Sequence, residues 1–160
     1  MLDIAPLRDA YRALLDAAAT VASSGDAVPP PGEWNADQIL AHVVLVNTAT
    51  ITAVSSAVTG TVTTYDNRLA HDAWTLDRVI TLTGGTAGLR DRIGHQADAL
   101  CALATTCGEA ELDTPVPALL LSNGKVMVDQ AVPLRDLITG LAAAELPGHT
   151  RQLLALPAPR

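Results

Sequence analysis

Residues 35–58 read NADQILAHVVLVNTATITAVSSAV, and the fold turns on whether this stretch is a helix. Asn35, followed three residues later by Gln38 and then an apolar run, is the signature of a capping box, in which each side chain satisfies the other's backbone N–H. Behind it Ile39, His42, Val46, Ala49 and Ala53 recur at helical spacing. The run is broken by Asn47 and several Thr and Ser residues and is short for a membrane span. It predicts a core helix with one histidine, His42, on its apolar stripe. Gly60 and the Thr-rich TGTVTTYD close the segment and predict a loop through about Asn67.

Composition agrees with a helical interior. The chain has 160 residues, the size of one domain over 1–160. Tyr11, Trp34, Tyr65 and Trp74 are its only aromatic residues, so Ala, Leu and Val must fill the core, which favours closely packed helices over an aromatic-rich sandwich. The formal net charge is −7, with one lysine and nine scattered arginines. A nucleic-acid surface needs clustered cations, so that class of partner is excluded. A small neutral or cationic ligand, or a metal, suits the balance. No signal segment opens the chain, and the expectation is a soluble, cytoplasmic protein outside the membrane.

Upstream, Ile4, Leu7, Tyr11, Leu14, Leu15, Ala18 and Val21 form the stripe of a first helix. The proline- and glycine-rich SGDAVPPPGEW ends it as a loop. Downstream, a helical rhythm runs from Leu69 to Ala104 across Gly84-Gly85; it predicts one long third helix with a weak point there, two shorter helices being the alternative. Asn123-Gly124 lies between Leu119–Leu121 and Val126–Val128, and Asn-Gly favours the type I′ turn of a two-residue hairpin. A fourth helix starts near Pro133, with Leu134, Ile138, Leu141, Glu145, His149, Gln152 and Leu156 in line. Pro147 within it predicts a kink.

Glu145 and His149 share a helix face and stand about 6 Å apart along the axis, a separation one cation can bridge. With His42 they make a three-ligand set that leaves a position open. The same spacing also describes a surface ion pair, and a lone histidine on an apolar stripe is often just a hydrogen-bonded core residue. On the expected helix order, His71 falls roughly 25 Å from His42 and His95 faces solvent. Cys101 and Cys107 are too far apart for an internal disulfide and read as small core residues. No Ser-His-Asp order, phosphate loop or Cys-x-x-Cys is present.

GEWNADQILAHVV and ELPGHTRQL, with LLLSNGKVMVD between the third and fourth helices, resemble the DinB-like superfamily, which includes mycothiol-dependent maleylpyruvate isomerases. The first is similar to a Trp-x5-6-Leu-x-His pattern, the second to a [His/Glu]-x3-His-x2-Gln-Leu ending. The resemblance covers most of the chain. It implies an all-α four-helix bundle with a small β-hairpin between helices 3 and 4. It also implies a divalent metal, zinc or nickel, near one end, with His42, Glu145 and His149 in the ligand places. Further implications are a low-molecular-weight thiol such as mycothiol as cofactor, transferase or isomerase activity on a small-molecule substrate, and a homodimer packed through an apolar helix face. Gln152 or Trp34 is expected to orient substrate. The competing expectation is a metal-free binding or interaction module on the same bundle.

Overall fold

A computed structural model describes residues 2–24 and 29–156; part of the predicted first loop, residues 25–28, lies outside them. Helix α1 (Ala5–Ser23) buries Leu7, Tyr11, Leu14 and Ala18 of the expected stripe, with Ala17 beside them, while Ile4, Leu15 and Val21 are partly buried. Helix α2 (Ala36–Val58) opens on the predicted capping box: Gln38 N–H donates to Asn35 Oδ1 at 2.9 Å and Asn35 N–H to Gln38 Oε1 at 3.0 Å. Every residue from Ile39 to Val44 is buried, so α2 is covered nearly all round rather than along one stripe. It is the one described helix long and apolar enough to cross a membrane, yet 61% of its apolar window is buried within the protein.

After α2 the chain departs from expectation. A turn at Thr59–Gly60 ends α2, and the chain then runs to strand β1 (Tyr65–Asp66) and a 3-10 turn, Arg68–His71. Helix α3 (Ala73–Thr83) starts where Asp72 Oδ2 accepts from Thr75 N–H at 2.9 Å. Gly84 and Gly85 take φ of 80° and 82°, a left-handed conformation open to glycine and unfavourable for other residues. Two such residues in succession stop the helix outright. The segment is therefore two helices, α3 and α4 (Thr86–Thr106), not one long one.

A short helix α5 (Glu109–Leu112) leads into strands β2 (Pro115–Ser122) and β3 (Lys125–Pro133). Their turn is the predicted one: Asn123 and Gly124 both have positive φ, 49° and 72°, as a type I′ hairpin requires. The strands are longer than expected and the sheet has a third member. Strand β1 pairs in parallel with β2, Tyr65 opposite Ala118 and Asp66 opposite Leu119, in the order β1-β2-β3. The all-α expectation is corrected accordingly: the chain is mostly helical with a small mixed sheet. A two-residue strand carries no periodicity of its own, so only the tertiary contact reveals it.

The last helical stretch runs from α6 (Leu134–Gly140) through a π-helical turn (Leu141–Glu145) into α7 (Leu146–Leu154). Leu146 N–H bonds Leu141 O, the wider π spacing, and Pro147 falls in the first turn of α7, where a missing N–H is tolerated. The π turn inserts one residue and rotates the rest of the helix by about 100°. The core stripe Leu134, Ile138, Leu141 therefore continues at Leu146 and Leu153, one position later than the predicted Glu145 and Gln152. Glu145, His149 and Gln152 are turned off the leucine line, towards a cavity. Helix α1 packs on α4 and α7, and α2 on α3 and α4.

Candidate metal centre

His42 stands in the first half of α2, 2% exposed at its side chain, while Glu145 ends the π turn and His149 lies one turn on in α7. Because residues 145–149 are helical beyond the π turn, the i, i+4 relation survives Pro147. His42 Nε2 is 2.9 Å and His149 Nε2 3.2 Å from the same atom, Glu145 Oε1. Nitrogens and carboxylate oxygen all lie within 4.8 Å of one another. Neighbouring ligand atoms around a tetrahedral cation with bonds of about 2.0–2.2 Å sit about 3.3–3.6 Å apart. The two nitrogen–oxygen pairs are near that spacing, and the trio could hold a metal ion.

The far side of each imidazole fixes its tautomer. His42 Nδ1–H donates to the Ala70 carbonyl at 2.7 Å; a carbonyl can only accept, so Nδ1 carries the proton. His149 Nδ1–H donates to Gln152 Oε1 at 2.9 Å. In the neutral rings both Nε2 atoms then hold lone pairs, aimed at a carboxylate that is itself only an acceptor. Three acceptors converging on one point repel each other unless a cation or extra protons intervene. Imidazoles anchored through Nδ1 with Nε2 free are how proteins present metal-binding histidines. Gln152 thus orients His149 and also lines the cavity beside it.

Burial by itself would raise the Glu145 carboxyl pKa, but when both imidazoles are doubly protonated the hydrogen bonds from His149 and His42 and their charges outweigh it and hold the pKa well below the usual carboxylate range. Its side chain is 37% exposed, so the cluster has a buried floor at His42 and an open side at Glu145. That side faces a cavity of about 560 Å³, lined also by Trp34, His71, Asn123 and Gln152. A second cavity of about 260 Å³ reaches Glu145 from beside the sheet, walled by Val46, Leu120, Leu137 and Leu141 with the Tyr65 side chain. Burial pushes the Tyr65 phenol up to about 12.

His71 is the residue that sequence reasoning misplaced. Its ring centroid is 4.9 Å from that of His42 and 5.7 Å from that of Trp34, inside the site rather than roughly 25 Å away. From His42 to Val58 the helix advances about 24 Å. The six residues 61–66 between the Gly60 turn and Asn67 span about 20 Å if extended, at roughly 3.3 Å each. Together with the 3-10 turn they carry His71 back towards the first half of α2. Burial, then the neighbouring His42, lowers the His71 pKa. The β-branched TVTTY was the available signal for extended backbone. His95 is exposed, as expected; Cys101 and Cys107 are buried free thiols.

Compared with known proteins, the chain matches no family model, no curated protein and no solved structure.

Proposed function

We propose that this chain is a metal-dependent enzyme of the DinB-like type, a transferase or isomerase that uses a low-molecular-weight thiol such as mycothiol. Its divalent ion, zinc or nickel, is held by His42, Glu145 and His149. In this reading α1, α2, the α3–α4 pair and α6–α7 are the four arms of a bundle, with the hairpin inserted before the last. One observation carries the proposal: two Nδ1-anchored imidazoles and a carboxylate direct their lone pairs at a single point beside an open cavity. The ion, when bound, supplies Lewis acidity that lowers a thiol's pKa to give thiolate at neutral pH. The protein's part is to fix His42 through Ala70, fix His149 through Gln152, and keep Glu145 ionised. Trp34 and His71 wall the approach.

The second reading is a metal-free binding module, favoured by the 2.9 and 3.2 Å separations, which are also hydrogen-bond distances. There both histidines are doubly protonated and donate to Glu145. Elemental analysis of protein purified without chelator separates the two. About one zinc or nickel per chain supports the enzyme; trace metal, with none taken up on titration, leaves only the module.

A further inference from the structure

The two cavities that meet at Glu145 share Leu121, Ser122 and Ala144 in their walls. No lysine or arginine lines either one among the described residues. Lys125 and Arg151, near the lining in sequence, are exposed and belong to neither wall. The acidic side is represented instead: Glu33 and Glu145 line the larger cavity, Asp136 and Glu145 the smaller. A bound dication balances the two carboxylates of each cavity, so neither lining offers an anion a net positive charge. Recognition of a carboxylate or phosphate ordinarily relies on arginine forks or lysine. Here an anion would meet carboxylates, and in the smaller cavity Val46, Leu120, Leu137 and Leu141 would desolvate it with no cationic side chain in return.

We propose that the site selects against anions and takes an uncharged or cationic small molecule. The inference rests on the enzyme reading for the metal's charge, while the cavity linings carry it independently. The volumes agree with small ligands: the larger lies within the roughly 300–1,000 Å³ of small-molecule sites, and the smaller just under it. A dicarboxylate would find no lysine or arginine in either lining.

The test uses three thiols of equal length that differ in terminal charge: 2-(trimethylammonio)ethanethiol, 2-mercaptoethanol and 2-mercaptoethanesulfonate. Each is titrated into cobalt(II)-loaded protein, and its thiolate-to-cobalt absorption gives a Kd referred to its own thiolate concentration. At low ionic strength the sulfonate binds about tenfold or more weakly than the uncharged thiol, and added salt narrows the gap. In Ser122→Lys, which puts a cation in the wall common to both cavities, the gap closes or reverses. Sulfonate binding as tight as the uncharged thiol at low salt overturns the proposal. An unchanged order in Ser122→Lys overturns its assignment to these cavities. If cobalt is not taken up, the metal reading falls by itself. The same series is then followed by Trp34 fluorescence in Trp74→Phe protein. Equal quenching by the anion, or no response to any of the three, overturns the charge selection.

Discussion

Among the buried polar side chains of α2, His42 and Asn47 stand five residues apart, and their surroundings are opposite in kind. Asn47 belongs to a network in which donors meet acceptors. Tyr11 O–H donates to Asn47 Oδ1 at 2.7 Å, Asn47 Nδ2 donates to Gln96 Oε1 at 3.2 Å, and Gln96 Nε2 donates to the Val44 carbonyl at 3.1 Å. The network ties α1, α2 and α4 together and asks for nothing from outside. At His42 the ring proton is already committed to Ala70, and what remains is a surplus of acceptors around Glu145. A matched network reads as structure. A surplus of acceptors reads as a place for a cation, because low dielectric makes unmatched charge and lone pairs expensive.

The comparison breaks first at the histidines. His42→Ala and His149→Ala should each reduce metal content from about one ion per chain to traces, because a two-ligand site is far weaker. Circular dichroism should remain helical. Unchanged metal in either variant would show that the acceptors are not ligands.

The tyrosines sharpen the contrast, one beside each cluster. Burial raises both phenol pKa values above the unfolded value of about 10, Tyr65 to about 12 and Tyr11 further. A raised acid pKa means that the stability is whole below pH ~10 and is lost as pH rises from there through the folded values. Tyr65 alone then removes about 2–3 kcal/mol by pH ~12. Absorbance at alkaline pH should show no tyrosinate before ~10, with ionisation accompanying unfolding. Early titration of either phenol would contradict its burial.

Glu145→Gln should weaken metal binding at least about tenfold, roughly 1.4 kcal/mol, because an amide cannot offset the ion's charge. Equal metal affinity in wild type and variant, measured by competition with a chelating dye, would remove Glu145 from the ligand set.

Tyr11→Phe should act only on the other cluster. It leaves Asn47 Oδ1 without its donor and should lower stability by about 1–2 kcal/mol in urea unfolding while metal affinity is unchanged. A change in metal affinity would mean that the two clusters are coupled through α2.

Much of this was legible in local chemistry. The Asn35–Gln38 capping box, the Asn123-Gly124 turn and the α1 stripe depend on residues within a few positions of one another, and each has the form that its residues require. The three candidate ligands were legible as types and spacings, and the fold brings all three together. His71 was not, because its position depends on the path the chain takes from the end of α2 to strand β1, which no local pattern sets. Strand β1 was not, because two residues have no period. The break at Gly84-Gly85 was visible as a weak point, but only the successive left-handed conformations decide for two helices.

The sequence by itself determined the helical character, the hairpin and the inventory of groups able to bind a cation, since these arise from side-chain chemistry and short-range backbone preference. The tertiary structure alone decided which face of the last helix meets the cavity. One extra residue in the π turn moves the core line from Glu145 to Leu146 and frees Glu145, His149 and Gln152 for the site. Pro147 marks the place in the sequence but not the form of the break: the π turn arises because Leu146 and Leu153 pack into the core while Pro147, lacking an N–H, relaxes the backbone bonding that would otherwise keep a regular α-helix.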